Sequence, residues 1–214
     1  MKKILLLGVV ATIAIGTATG FAATLSVGSN HLWAGTQSLT KATCTLTGTT
    51  QSVDTYVNQA SANTSYGTTT TMLVQPNSGS EKRALITFDL SKCSPTIPTT
   101  GGADTATLAL HVTSAPTRSR TLTLWRATSS WSSTSTWNTQ PSLASSSTTT
   151  FASGTTASTI NVPVTVDADD IIKGSTNYGW VVTDEGSTAA GDTTTFATSN
   201  STTNKPVLTI NYEK

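Results

Sequence analysis

The sequence predicts an all-β protein, an antiparallel β-sandwich of about nine strands, and three observations predict it. Charged residues make up only 11% of the 214 residues, against about a quarter in ordinary globular domains. Ser and Thr carry the polarity instead. Thr is β-branched, so it suits an exposed strand face while keeping the chain in solution. Large apolar residues alternate with small polar ones at period two in several segments, as in strands with one buried face. Turn-forming clusters of Gly, Pro, Asn and Ser recur between these segments, and no long helical period appears.

Taken from the start, "MKKILLLGVVATIAIGTATGFAA" has the three parts of an export signal. Lys2 and Lys3 form the basic end, Ile4 to Ile15 the apolar run, and cleavage after Ala22 places Gly20 and Ala22 at the small-residue positions. The apolar run is short for a bilayer span, which takes about 20 residues. Residues 23–50 form a Thr-rich leader with weak alternation, and 51–214 form the domain.

Within the domain "VDTYVNQ", "TMLVQ" and "RALITFDL" read as strands, separated by the loops "ASANTSYGTTT" and "PNSGSEK". The clearest pair follows. In "TATLALHV", Leu108, Leu110 and Val112 share a face. In "TRSRTLTLWRA", Leu122 and Leu124 face one way and Thr121, Thr123 and Trp125 the other. "ASSSTTTFASGTTAS" is a loop or a weak strand. "TINVPVTVDADDIIKG" holds a strand and a helical turn at 168–173, and "YGWVVTD", "TTTFATS" and "KPVLTINY" complete the set.

Formal charge is +1, and loss of Lys2 and Lys3 with the signal leaves 10 basic against 11 acidic residues, or −1. No basic field exists to attract nucleic acid, and no polybasic run to hold a membrane surface. Cys44 and Cys93 are the only cysteines. In an exported protein an even count predicts one disulfide. His31 and His111 stand at no metal-ligand spacing from them.

Several landmarks occur in order. "DTYVNQASANTSYGTTTTMLV" has Asp-x-Tyr and then Asn-x-x-Tyr-Gly, "KRALITFDLS" ends in Phe-Asp-Leu-Ser, and "LTLWRATSSWSSTSTWNTQP" has Trp-Arg, Trp and Thr-Trp-Asn-x-Gln-Pro. "NYGWVVTDE" and "TFATSNSTTNKPVLTINY" follow. From about Val53 to Tyr212 the chain resembles the DNRLRE-type domain, also classed as carbohydrate-binding module family 96. The resemblance implies a jelly-roll sandwich that attaches to polysaccharide without catalysis, acidic polysaccharides such as alginate among its ligands. Two departures stand out. Ser132 and Ser133 occupy the place of a usual acidic residue, and "ATSNS" has Ser199 and Asn200 where the family often has Ser-x-Glu.

For ligand contact the candidates are Trp125, Arg126, Arg83, Arg118 and Arg120. Arginine holds carboxylated sugars bidentately, although arginines beside turns also serve solubility alone. Trp125 faces outward if Leu122 and Leu124 are core, so it is a sugar platform or lies under a loop. Trp131 and Trp137 stand six apart. The family pattern suits them to a structural role, with Trp137 anchoring a long crossing loop. Asn138 and Gln140 then bond backbone. Trp180 is expected in the core and Tyr66 in a structural role. Analogy with other sugar-binding sandwiches offers Asp54 as a ligand of a structural Ca2+. "DADD" at 167–170 reads as an acidic helix start in preference to a calcium loop. Asn63 and Asn200 head Asn-x-Ser/Thr sequons.

No Gly-x-Ser-x-Gly, Walker or dinucleotide pattern occurs, no motif nominates two carboxylates across a cleft, and His111 lies mid-strand. The expected function is a secreted, non-catalytic polysaccharide-binding module of the cell surface or matrix. The alternative is a structural subunit of an extracellular filament or adhesin, self-associating by adding its leader to a neighbour's sheet.

Overall fold

The computed structural model describes residues 23–28, 31–36, 39–76, 79–186 and 192–214. The expected export signal lies outside them. The chain divides into two units, 1–40 and 41–214. In the first, β1 (Ala23–Gly28) and β2 (His31–Thr36) pair with each other as an antiparallel hairpin, in register from Ala23↔Thr36 to Gly28↔His31.

The second unit is an all-β sandwich of two antiparallel sheets with one α-helix. Its strands are β3 (Lys41–Thr47), β4 (Ser52–Asn58), β5 (Thr71–Val74), β6 (Lys82–Phe88), β7 (Thr105–Ser114) and β8 (Thr121–Arg126). They continue as β9 (Thr149–Ala152), β10 (Ser158–Pro163), β11 (Trp180–Thr183), β12 (Thr194–Ala197) and β13 (Val207–Glu213). The helix α1 spans Thr165–Ile172.

The five-stranded sheet has the order β4-β6-β11-β8-β9. In the six-stranded sheet β7 is central. One side of it carries β10. Along the other side β13 and β12 lie end to end, with Val207 opposite Ala109 and Phe196 opposite Val112. The chain leaves this side at Ala197 and returns to it at Val207, and β5 and β3 flank β12 and β13.

Alternation explains what lies inside. Leu46, Met72, Leu108, Leu110, Leu122, Leu124, Trp180, Phe196 and Tyr212 are all essentially solvent-free and fill the space between the sheets. Each such side chain contributes about 1.5–3 kcal/mol on burial. The outward residues of the six-stranded sheet are largely Thr and Asn, and some bond along a row. Thr43 Oγ1 donates to Asn211 Oδ1 at 2.7 Å, and Asn211 Nδ2 to Thr105 Oγ1 at 2.9 Å.

The expected antiparallel sandwich is present, with eleven strands among the described residues. Beyond the strands read from the sequence it has β9 and β3, and β3 pairs with β13 over seven residues. Residues 41–50 therefore belong to the sandwich and not to the leader. The helix is also longer than the expected turn at 168–173, because Thr165 and Asp167 already lie in its first turn. Cys44 and Cys93 form the expected disulfide, with Cα atoms 5.3 Å apart.

Candidate functional site

The outer face of the five-stranded sheet is unusually apolar at one end. Ala84, Ile86, Trp180 and Val182 point to the main core, so their neighbours Leu85 and Val181 point out. With Val57 and Ala127 they form a second, small cluster, all four buried. The cover is the loop between β8 and β9. Trp131, Trp137 and Leu143 from this loop pack on the cluster, with Tyr178 beside them.

Polar bonds hold the cover in place. Trp131 Nε1 donates to Tyr178 O at 2.6 Å. The Arg83 guanidinium lies 5.0 Å from the Trp137 ring centroid and donates to Gln140 Oε1. Gln140 Nε2 donates to Trp137 O, and Asn138 Nδ2 reaches the side chain of Asn63 rather than backbone. The loop also presses on Gly67, where a Cβ would stand 2.1 Å from Ser133 O. Just before it, Tyr66 stacks on Tyr56 with ring centroids 4.1 Å apart.

Farther along the same face stands Trp125, opposite Val181 in register and half-buried. Among the described residues its indole bonds a strand side chain and no loop residue. Trp125 Nε1 donates to Thr183 Oγ1 at 2.9 Å, and Thr183 Oγ1 donates to Glu185 Oε1 at 2.7 Å. This relay fixes the ring and sets an exposed carboxylate beside it. A concavity of ≈ 450 Å³ opens beside Glu185, lined by Thr121, Thr123, Arg120, Asp184, Glu185 and their neighbours.

The five residues expected to contact ligand do not converge. Trp125 and Arg83 share the outer face. Arg126 follows on the opposite face of β8 and bonds Asp170 and Thr176 O. Arg120 chelates Asp184 at 2.7 and 3.0 Å and also reaches Asp192 at 3.4 Å. Burial of this pair is nearly complete at Asp184, 1% exposed. Bonding to Asp184 holds the Arg120 guanidinium above its ordinary pKa. Arg118 is largely exposed but rests on Asp192 at 2.8 Å. Glu185 and Thr183 are not among the expected ligand contacts, although the alternation of Val181, Thr183 and Glu185 carries the signal.

The model of carbohydrate-binding module family 96 matches residues 45–212, nearly the whole sandwich. The chain belongs to this family. No curated protein matches it. A carbohydrate-binding module attaches to glycan without catalysis, so a face with a fixed, half-exposed indole near a hollow is the feature of this family 96 chain to weigh first. Family membership also bears on β3, since the match begins within it, at residue 45.

The acidic residues of α1 in this family 96 sandwich serve the frame. Asp167 accepts from Trp180 Nε1 and Thr148 Oγ1, Asp169 from Ala103 N and Lys173 Nζ, and Asp170 pairs with Arg126. The three therefore point to different partners around α1. Trp180 itself is 1% exposed.

Asp54 is buried between β4 and the turn after β12. Its Oδ2 accepts from Ser199 N at 2.7 Å, while Oδ1 has no hydrogen-bond partner. Burial pushes its carboxyl above the ordinary value, and the bonds from Ser199 offset this in part. A calcium ion takes six to eight oxygens, and among the described residues no group of three or more His, Cys, Asp and Glu comes together.

The sign of the pH effect follows. A raised folded pKa means that the folded state binds the proton more tightly, so this group favours folding most below the unfolded value of about 3.9 and loses that contribution as pH rises through the folded pKa. Asp54→Asn removes the charge and keeps an acceptor for Ser199 N–H. The variant is expected to gain stability relative to the parent at pH 7, with the gain shrinking toward pH 4. Urea melts at both pH values check this, and a pH-independent difference would refute it.

Proposed function

We propose that the chain is an exported, non-catalytic polysaccharide-binding module whose glycan lies against Trp125 on the outer face of the five-stranded sheet. The observation that carries the reading is the Trp125–Thr183–Glu185 relay beside the hollow. A sugar ring offers an apolar face to an indole and hydroxyls to the groups around it. An indole already held by a hydrogen bond loses little freedom on binding.

Export is supported by the basic and apolar start of the sequence and by the disulfide, which persists in oxidising surroundings. Among the described residues no helix is long and apolar enough to cross a membrane. A non-catalytic role agrees with family membership. His111, the one histidine within the sandwich, bonds Thr159 and Asn204 and no carboxylate. For the calcium ion expected at Asp54, the unpartnered Oδ1 is the one feature in its favour. Melting that is unchanged by EDTA would remove it.

The test is affinity electrophoresis in native gels containing a panel of polysaccharides. Trp125→Ala is expected to weaken retardation about thirty-fold or more, the loss of one central aromatic contact, in a variant whose melting curve shows it folded at the assay temperature. Undiminished retardation would move the site elsewhere.

A further inference from the structure

We infer that the glycan on the Trp125 face runs on along β8 to a second subsite, the hollow walled by Trp131 in the loop between β8 and β9. The module then holds an internal stretch of polysaccharide and not one sugar unit. The inference rests on the polysaccharide reading above and adds a subsite to it.

Trp131 packs on the cluster of Val57, Leu85, Ala127 and Val181, yet it is only half-buried. It also walls an open hollow of ≈ 430 Å³. The rest of the lining is Ser130, Ser132, Thr134, Ser135 and Thr139, all hydroxyl side chains without charge. Trp137 does not line the hollow, so its packing role beside Arg83 is separate. An indole suits the apolar face of a sugar ring, and hydroxyls suit its polar rim.

The loop already holds these groups in place. Trp131 Nε1 is tied to Tyr178 O. Ser132 N donates to Ser135 Oγ at 3.0 Å, Ser135 N to Ser132 O at 2.9 Å, and Thr136 N to Thr139 Oγ1 at 2.9 Å. Little freedom is lost when a ligand arrives. The exposed hydroxyls of Ser132 and Thr134 lie 2.9 Å apart. One hydrogen occupies the space between the two oxygens, so the other hydroxyl hydrogen is directed away from the pair. Such a pair both donates and accepts, as sugar hydroxyls do.

Position links the two subsites. Trp125 stands opposite Val181. Two residues on, Ala127 shares the same face, joins Val181 in the cluster and donates its N–H to Gly179 O. Trp131 packs on that cluster and bonds the neighbouring Tyr178, so its hollow lies beyond Trp125 in this direction. In the other direction Thr123 and Thr121 line the hollow beside Glu185. Each step of two residues along a strand is about 7 Å. The Glu185 hollow, the Trp125 indole and the Trp131 hollow therefore succeed one another along β8, spaced on the scale of successive sugar units.

The experiment is isothermal titration of the sandwich with its leader against size series of alginate, xylan and β-glucan oligosaccharides, from disaccharide to hexasaccharide. In a series that binds, affinity is expected to rise about tenfold from the short to the long members, the scale of one further aromatic contact, and then to level off. Ser130→Met places an uncharged side chain in the hollow from an exposed position. It is expected to remove this gain while disaccharide affinity and the melting curve stay as in the parent. Thr134→Ala, which deletes one exposed hydroxyl, should remove part of the gain. Affinity independent of length, or a gain that survives Ser130→Met, overturns the inference while leaving binding at Trp125 intact. If no series binds, or if binding at every length survives Trp125→Ala, the Trp125 reading falls and the inference with it.

Discussion

Replacing Cys44 and Cys93 together by alanine is expected to lower the melting temperature by roughly 8–16 °C. The disulfide closes a segment with a sequence separation of 49, and the chain-entropy relation gives about 4 kcal/mol for a loop of that size. In a domain of this length each kcal/mol moves the melting temperature by about 2–4 °C. Location adds a reason to expect the full effect. Cys44 lies on β3, an edge strand whose one sheet neighbour is β13. Cys93 follows the short turn after β6, in the other sheet. The bond thus clasps the two layers where β3 would otherwise be held by one ladder. Both sulfurs sit in the core, with the residues 3% and 6% exposed, so alanine is the right replacement and serine would bury two hydroxyls. Calorimetry with and without a reducing agent measures the effect, and the reduced parent should approach the variant. A drop of only a degree or two would show that strand pairing alone holds β3.

Trp137→Ala is expected to cost about 2–3 kcal/mol, or roughly 4–12 °C in melting temperature, with glycan affinity unchanged. Fully buried Trp→Ala changes cost about 3–5 kcal/mol, and Trp137 is half-buried. It is nevertheless the lid over Val57, Leu85, Ala127 and Val181. Its removal opens the cover that it shares with Trp131, Leu143 and Tyr178 over these four side chains and takes the ring from beneath Arg83. Trp137→Phe should recover part of the loss. Normal melting together with lost binding would reverse the assignment and make Trp137 a glycan contact.

The readable parts of the fold were those where one face meets the core and the other meets water. β7, β8 and β13 state this in their alternation, and Leu108, Leu122 and Leu208 lie where it places them. β3 was obscured because it has only Cys44 and Leu46 on its buried face, among threonines that fit a loop equally well. The arginine partners were hidden for a different reason. Arg120 finds Asp184 across 64 residues and Arg118 finds Asp192 across 74. Nothing local distinguishes a guanidinium destined for an internal carboxylate from one left for a ligand. Trp125 is the intermediate case, since its outward direction was legible and its hydrogen bond to Thr183 was not.

The pairing of β3 with β13 places the two ends of the sandwich side by side, with Glu213 opposite Lys41. Any sequence joined ahead of Lys41 or beyond Lys214 therefore departs from one corner. The sandwich thus has a single corner at which both its attachment points lie. Joining these two ends by a short tether and reopening the chain in an exposed turn such as 202–204 would give a permuted protein with the same strand order in space.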